Sequence, residues 1–261
     1  MSTHAMGSSE LRDIEAESAN PGNRLSRGWR AARRALDGPA NHSLLGSPHY
    51  NDPPLADMAR RQTGAHGVND TRETLLKLAA RTFGEQGYSA TTMRNIAEQA
   101  GIEAASIYYH FASKEELVDE VMEQGGARII SQQNERLDAL GEDATAEQRF
   151  RAAVLGQMEG LVRHGDFALA HGRLLGQLPD KVRERHLKRR ERHQKFWSGL
   201  LEGLREQGRL RADADIRLAR IMILGSINSV QSWFNPRKGS LEKVADQICD
   251  MFFRGVGPAD K

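Results

Sequence analysis

Hydrophobic residues between Asp70 and Gly87 recur at the spacing of an α-helix. The apolar positions of this run are Leu75, Leu76, Ala79, Ala80 and Phe83. Residues three and four apart lie on one face of a helix, so the run predicts a helix with a single buried side. Asp70, followed three residues later by Glu73, predicts an N-cap that starts the helix, and Gly87 predicts its end.

Two shorter helices joined at a glycine are predicted next. Thr91 or Thr92 is placed to cap the first of them. Its inward-facing residues are predicted to be Ile96, Ala97 and Ala100. Gly101 predicts a tight turn, because glycine readily takes the left-handed backbone conformation that ends many helices. The second short helix is predicted over residues 103–110.

Longer helices are predicted for the rest of the chain. Ser113 and Glu116 form a capping-box pattern before a helix whose apolar face holds Leu117, Val118, Val121 and Met122. Further helices are predicted over 146–164, 166–177, 180–207, 213–234 and 240–254. No strand-like alternation competes with these patterns, so the sequence predicts an all-α fold.

The first 68 residues show no persistent apolar spacing. They carry Pro21, Pro39, Pro48, Pro53 and Pro54 among many small polar residues, so we expect this segment to be disordered. Residues 27–36 could form a short basic amphipathic segment that touches DNA or a membrane surface, although a solvated tail is the favoured interpretation. An alternative hypothesis places the native start at Met58, and peptides N-terminal to Met58 in native protein would exclude it.

Composition narrows the class of protein only slightly. The chain has 37 basic and 35 acidic residues, and its net charge of +2 does not indicate nucleic-acid binding. Residues 71–124 contain five basic and nine acidic residues, which argues against a DNA-binding role for that segment. The apolar runs are too short for a membrane helix, and the N-terminus lacks a secretory signal. With a single cysteine, Cys249, we expect a protein of the reducing cytoplasm without a metal or cofactor.

The segment TTMRNIAEQAGIEAASIYYHF has the parts of a helix-turn-helix. Ala97 permits a close approach of two helices, Gly101 supplies the turn, and the apolar residues Ile102, Ile107 and Phe111 would pack inward. The residues then left to face DNA are Ala104, Ala105, Ser106, Tyr108 and Tyr109. Ordinary half-buried packing is the alternative role for the aromatic cluster.

From Thr71 to Leu117 the chain resembles the DNA-binding domain of the TetR family of regulators. The resemblance is carried, in order, by FGEQGYSATTMRNIAEQAG, SIYYHF and SKEEL. It implies a homodimer whose third helices enter successive major grooves of operator DNA, and a repressor that a small molecule releases. The implied domains are a DNA-binding domain over 69–115 and a helical ligand-sensing and dimerisation domain over 116–256, after the extension 1–68.

The resemblance also implies roles for individual residues. Those implied to contact phosphates are Thr92, Tyr109, His110 and Lys114, and Arg94 is included among the DNA-binding candidates. Those implied to face bases are Ala104, Ala105, Ser106 and Tyr108. Glu103 stands where the family usually has Ser or Thr. Two roles are open to it: its negative charge could suit the positive N-terminal end of the helix, which is the favoured role, or its carboxylate could contact cytosine. Arg60 and Arg61 could follow the minor groove or phosphates as a mobile arm.

Apolar stripes near the C-terminus could form the dimer interface or an intramolecular core. They consist of Ile216, Ile223, Ile227 and Val230, followed by Val244, Ile248, Met251 and Phe252. The segment WFNPRKGSLEKVADQI loosely resembles family members that respond to acyl-CoA thioesters. Candidate pocket residues are Met158, Phe167, His171, Trp197, Asn228 and Trp233, with plain core packing as the favoured role of each.

The basic run over residues 181–195 has two interpretations. Its cations could hold the phosphates of a CoA-like ligand, or they could form a solvated helix face, which is commoner. A helical enzyme is a rival function, with His164 or His171 as a base near Asp166 or Glu159, but no catalytic motif supports it. A DNA-binding protein without a ligand is a third possibility.

Overall fold

The computed structural model describes residues 67–256, together with residue 35. Within these residues the chain forms nine α-helices and no strand, which confirms the all-α prediction. The helices are α1 (Gly67–Ala90), α2 (Met93–Ala100), α3 (Ala104–His110), α4 (Lys114–Asp138), α5 (Ala146–Arg163), α6 (Gly165–Leu174), α7 (Asp180–Glu206), α8 (Ile216–Trp233) and α9 (Leu241–Val256).

The helix ends follow the predicted caps with three differences, the first of which is that α1 does not end at Gly87: this residue lies at a kink with a φ of 82°, and α1 continues to Ala90. Thr92 Oγ1 accepts the backbone N–H of Asn95, and Ser113 Oγ accepts that of Glu116, both at 3.1 Å. The carboxylate of Glu116 accepts from Ala112 rather than from Ser113, so the predicted capping box is only half formed. Asp70 lies in the first turn of α1 and does not cap it, because the helix already begins at Gly67.

Two hydrophobic cores stabilise the chain. The N-terminal core joins α1, α2 and α3 to the first half of α4, and α6 and the start of α7 complete it. The C-terminal core joins the second half of α4 to α5, α7, α8 and α9. The predicted inward residues of the first four helices are buried or partly buried in the N-terminal core. The division of the chain at residues 115 and 116 stays a prediction.

Helices α4 and α5 touch at the level of their backbones. A Cβ atom at Gly156 would lie 2.6 Å from Cα of Gln133, and one at Gly160 would lie 2.8 Å from Cα of Ile129. Only glycine fits at these two positions of α5, because any side chain would push the helices apart. This crossing holds the second half of α4 firmly against the C-terminal core.

The apolar stripe predicted for dimerisation on α8 faces the inside of the subunit. Ile223, Ile227 and Val230 are all buried in the C-terminal core, so the intramolecular alternative is correct for them. Ile216 and the stripe residues Val244, Ile248 and Phe252 of α9 pack partly buried against the same core. The exposed large apolar residues of these two helices are Leu218, Ile221, Met222, Trp233 and Met251. An unpartnered apolar face therefore lies on the opposite side of α8.

Several predictions fall on residues outside the described part of the chain. They are the disordered extension, of which only residues 35, 67 and 68 are described and these are helical, the basic segment over 27–36 apart from residue 35, the arm with Arg60 and Arg61, and the start at Met58. Among the helices that the structure describes, none is long and apolar enough to cross a membrane.

Candidate nucleic-acid interface and interior polar cluster

The turn between α2 and α3 is built around Gly101. Its φ of 69° lies in the left-handed region, which glycine adopts without strain. The N–H of Ile102 donates to the carbonyl of Ala97 at 3.1 Å and closes the end of α2. Ile107 and Phe111 anchor α3 in the N-terminal core, since both are fully buried. The turn and these anchors together determine which side of α3 faces outward.

The outward side of α3 is open to solvent. Ala104, Ala105 and Ser106 are exposed, and Tyr108 and Tyr109 are 55% and 94% exposed. An aromatic side chain left almost wholly in water is unusual unless it serves a contact with another molecule. The exposure predicted for this helix is therefore confirmed, while its contacts with DNA stay a prediction.

The other predicted DNA-binding residues surround this face. Glu103 precedes the helix as its N-cap but makes no capping hydrogen bond with its side chain. Thr92 and Arg94 are exposed at the start of α2, where Arg94 Nε lies 2.8 Å from a carboxylate oxygen of Glu98. His110 is half-buried at the end of α3. All of these side chains except His110 are exposed on the surface that flanks the turn.

Lys114 is positioned by an aromatic ring. Its Nζ lies 4.2 Å from the centre of the Tyr88 ring, a distance typical of a cation–π contact. Partial burial against the ring lowers the pKa of Lys114 from its ordinary value. As the first residue of α4, Lys114 follows α3 directly, and the ring restricts where its ammonium group can go.

The acidic residues of the 71–124 segment are mostly paired with cations. Six of the nine carboxylates form ion pairs, namely Glu73–Arg128, Glu85–Arg81, Glu98–Arg94, Asp119–Arg185, Glu120–Arg72 and Glu123–Arg189. The pairs on α4 face α1 and α7, and four of the acids there line a cleft of about 320 Å³. Ion pairing therefore offsets six of the nine negative charges, and four acids line the cleft between α4 and α7, whereas Glu98, Glu103 and Glu115 remain exposed near α3.

A polar clamp joins α7 to the first half of α4. His186 Nε2 lies 2.8 Å from Oδ1 of Asp119, and Arg185 lies 2.6 Å from the other carboxylate oxygen of Asp119. Arg189 is 8% exposed, forms an ion pair with Glu123 and donates to its backbone carbonyl at 2.7 Å. Loss of Glu123 would leave the buried guanidinium of Arg189 without its carboxylate partner, which would destabilise the fold. The clamp therefore joins α7 to the helix that directly follows α3.

The six predicted pocket residues do not all lie together. Met158 and Trp197 are fully buried in the C-terminal core, whereas Phe167 belongs to the N-terminal core. Trp233 is 54% exposed, and its Nε1 donates to Oγ of Ser229. His171 is half-buried on α6, and its Nε2 would lie 3.7 Å from a Cβ atom placed at Gly126 of α4.

Hydrogen bonds link two of the predicted residues, Trp197 and Asn228, through Gln157. Trp197 Nε1 donates to Gln157 Oε1 at 3.0 Å and also to Nε2 of His193 at 3.1 Å. Gln157 Nε2 donates to Asn228 Oδ1 at 3.0 Å. We call these four side chains the interior polar cluster; Gln157 and Trp197 are buried, His193 is half-buried, and Asn228 is exposed at its outer end. Sequence reasoning missed Gln157 and His193, although a glutamine on the apolar face of a predicted helix is a usable signal.

The histidines of this region are uncharged at neutral pH. Burial lowers the pKa of His193 to about 4, and burial together with nearby cations lowers the pKa of His171 to about 4. A neutral His193 can accept the indole N–H through Nε2, as its contact with Trp197 requires. The interior polar cluster therefore consists of two amides, one indole and one neutral imidazole.

The residues considered for an enzyme do not form a catalytic arrangement. Glu159 pairs with Arg136, and burial lowers the pKa of His164 to about 4. Within residues 67–256 no three His, Cys, Asp or Glu side chains are grouped so that they could hold a metal ion.

Two protein-family models match the chain. Residues 75–121 match the family described as bacterial regulatory proteins of the tetR family. Residues 143–256 match the tetracyclin repressor-like C-terminal domain. The first match contains the turn and α3, and the second contains the interior polar cluster.

Named relatives and solved structures agree with these matches. The transcriptional repressor KstR2 of Mycobacterium tuberculosis is 31% identical over 170 residues, which cover 65% of this chain and 84% of the relative. Its structure covers 73% of this chain and 97% of its own, with a TM-score of 0.64 and 28% identity. The fatty acid metabolism regulator of Bacillus subtilis is 27% identical, covering 70% and 93% of the two chains. AibR, solved with isovaleryl coenzyme A and operator DNA, has the same fold at 24% identity, with a TM-score of 0.61 and coverage of 70% and 98%.

Proposed function

Because this chain belongs to the TetR family of bacterial regulatory proteins, we propose that it is a transcriptional repressor that binds operator DNA as a homodimer. In this proposal the protein acts in the cytoplasm and α3 enters the major groove of the operator. A small molecule bound in the C-terminal domain then releases the protein from the operator. The relatives named above are a transcriptional repressor and a fatty acid metabolism regulator, which supports a regulatory rather than an enzymatic role for this chain.

The exposed face of α3 is the observation that carries the proposal. Its small residues Ala104, Ala105 and Ser106 leave the backbone free to approach base edges, and alanine methyls suit thymine methyl groups. Tyr109 extends beside them with its hydroxyl in solvent, where it can donate to a phosphate oxygen. Few direct base contacts are available on this surface, so sequence-dependent DNA shape should contribute to recognition.

The exposed apolar face of α8 and α9 is the proposed dimer interface. Leu218, Met222, Gly225 and Ser229 recur along one side of α8, and Met251 of α9 is 71% exposed. Small residues between large ones allow two copies of the helix to approach closely. Pairing of this face with its copy would bury apolar surface and set the spacing of the two α3 helices.

Acyl-CoA thioesters are the proposed effectors. A fatty acid metabolism regulator is among the relatives, and AibR binds isovaleryl coenzyme A. The buried members of the interior polar cluster, Gln157 and Trp197, are uncharged and adjoin an apolar core, which suits an acyl chain that carries few polar groups. On α7 the side chains of Lys188, Arg190 and Arg192 are exposed and are candidates to hold the phosphates of coenzyme A.

The clamp between α4 and α7 is the proposed route from ligand to DNA. Trp197 and His193 of α7 belong to the interior polar cluster, while Arg189 and His186 of the same helix hold α4. A ligand that binds better to one position of α7 than to another would shift the orientation of α4. Because α4 starts directly after α3, the two α3 helices would then no longer match successive grooves.

Release of operator DNA by thioesters tests the ligand part of the proposal. Acyl-CoA of increasing chain length is titrated into the complex of the protein with a labelled operator fragment, and fluorescence anisotropy measures the bound fraction. We expect at least one chain length to release the DNA at concentrations up to tens of micromolar, whereas coenzyme A alone should not. If no thioester releases the DNA in that range, acyl-CoA is not the effector.

Lys114→Ala is expected to weaken operator binding and to make it less dependent on salt. Loss of one phosphate contact lowers the slope of log affinity against log salt by about one counterion for each subunit. Tyr109→Phe loses a hydrogen bond but no charge, so it should weaken binding with the slope unchanged. Lys188→Ala, which removes an exposed lysine from α7, is the control that should retain the wild-type slope. An unchanged slope in Lys114→Ala would remove this residue from the interface.

A further inference from the structure

We infer that Gln177, in the turn between α6 and α7, is a positioning residue for operator binding. Its side chain fixes the bent end of α1, and Tyr88 in that bend then holds the ammonium group of Lys114 where it meets a DNA phosphate. The inference rests on the proposed function, because it explains how a phosphate contact that the function requires is held in place.

The end of α1 is bent at Gly87, and side chains satisfy backbone groups on both sides of the bend. Gly87 has a φ of 82° and a ψ of 173°, which are not helical angles, so the regular helical hydrogen bonds are interrupted there. The carbonyl of Gly84 accepts from Arg173 Nη1 at 2.7 Å, and the N–H of Tyr88 donates to Oε1 of Gln177 at 3.0 Å. Two side chains from the end of α6 and the turn after it therefore hold the bend.

Gln177 and Gly87 fit closely against each other. A Cβ atom at Gly87 would lie 2.7 Å from Gln177 Oε1, so a side chain here would push the amide away from Tyr88. The positive φ of Gly87 also favours glycine. The other end of the amide is occupied as well, since Gln177 Nε2 donates to the carbonyl of Arg173 at 3.3 Å. Both ends of the amide are thus used, and its orientation is defined.

Tyr88 links the bend to the DNA-binding surface. Its ring stacks on that of Phe83, which is fully buried, with 6.1 Å between the ring centres. The ammonium group of Lys114 lies 4.2 Å from the centre of the Tyr88 ring. In the described part of the chain no carboxylate forms an ion pair with this ammonium group, so contact with the ring is what orients it. A lysine that is oriented in advance loses less conformational entropy when it binds a phosphate.

The hydrogen bond of Gln177 contributes more to orientation than to stability. Gln177 is exposed at the surface, where water can replace a lost hydrogen bond at small cost. The bond nevertheless joins residues 89 apart in the chain, one in each of the two segments that match family models. Lys114, in the first segment, is therefore placed by a side chain from the second.

A double-mutant cycle on operator affinity tests the inference. Gln177→Met keeps the length of the side chain and removes the acceptor of the Tyr88 N–H. We expect it to weaken binding about fivefold in the otherwise wild-type protein, and less than about twofold when Lys114→Ala is already present. The probe is a labelled DNA fragment that the wild-type protein enriches from random genomic fragments, and fluorescence anisotropy at constant salt measures the affinity.

Substitutions of Tyr88 test the link between Gln177 and Lys114. Tyr88→Leu removes the ring, so it should weaken binding about threefold to fivefold, again only while Lys114 is present. Tyr88→Phe keeps a ring face beside the ammonium group and should bind nearly as tightly as wild type.

Gln207→Met is the matched control for the loss of a glutamine hydrogen bond. Gln207 Oε1 also accepts a backbone N–H, that of Ala146 at 3.2 Å, where α5 begins beside the end of α7. The variant loses the same kind of bond in the C-terminal core region, so it should bind operator DNA like wild type.

The outcomes separate the inference from the proposed function. A loss in Gln177→Met that is equally large with and without Lys114→Ala would show a general effect on the fold, and it would overturn the inference while operator binding stands. No loss in Gln177→Met, or an equal loss in Gln207→Met, would overturn it as well. A wild-type protein that enriches no DNA fragment would contradict operator binding and this inference together.

Discussion

Ser106→Glu is expected to reduce operator affinity about 100-fold or more without changing the fold. Ser106 is exposed on α3, so a longer side chain meets no protein atoms that would have to move. In the groove the new carboxylate would lie close to phosphates, and juxtaposed like charges cost several kcal/mol. The measurement is fluorescence anisotropy with a labelled operator fragment at constant salt, and circular dichroism checks that the helix content is unchanged.

Two matched variants control for charge and for loss of the hydroxyl group. Ala139→Glu adds the same charge at an exposed position after α4, and it should bind almost as well as wild type. Ser106→Ala removes only a hydrogen bond, so its loss should be about tenfold or less. Equal affinities for Ser106→Glu and Ala139→Glu would mean that α3 does not contact DNA.

A double substitution on the exposed face of α8, Ile221→Glu with Met222→Glu, is expected to convert the dimer into a monomer. These two residues are 51% and 62% exposed in the single subunit, so the substitutions should leave its core intact. Facing carboxylates across the proposed interface would repel each other and lose apolar contact. Sedimentation at micromolar concentration measures the change in mass.

Operator affinity should fall about 100-fold or more in the same variant. Two linked half-site contacts bind far more tightly than one, since the second contact is made at high effective concentration. Leu187→Glu is the control, because Leu187 is 44% exposed on α7 and lies outside the proposed interface. A double variant that still sediments as a dimer would place the interface elsewhere.

The DNA-binding part of the fold could be predicted because its signals are local. The caps at Thr92 and Ser113 and the turn at Gly101 each depend on residues within three or four positions of one another. Burial of Ile107 and Phe111 then leaves only one outward side for α3. The match of the sequence to the tetR family model over residues 75–121 covers this same segment.

The dimer face was harder to predict, because α8 has apolar residues on two sides. Ile223 and Ile227 continue one helical stripe, and Leu218 and Met222 continue another. Spacing alone does not distinguish burial within a subunit from burial between two subunits. The structure shows that the first stripe is internal and that the second, which is the proposed dimer face, is exposed.

The interior polar cluster depends on contacts between residues that are distant in the chain. Gln157 bonds with Trp197, 40 residues away, and with Asn228, 71 residues away. Helical periodicity indicates which side of each helix is apolar, but it does not show which helices face one another. Phe167 illustrates this limit, because it and Trp197 are both pocket candidates in the sequence, whereas in the structure the two residues lie in different cores.

Selection of DNA by the purified protein tests the central claim most directly. Random genomic fragments are bound, recovered and sequenced, in parallel for the wild-type protein and for Ser106→Glu. The structure predicts that wild type enriches a sequence with two-fold symmetry, whose half-sites lie about one helical turn or a multiple of it apart, and that Ser106→Glu does not enrich it. No enrichment by the wild-type protein, or the same enrichment by both proteins, would contradict operator binding through α3.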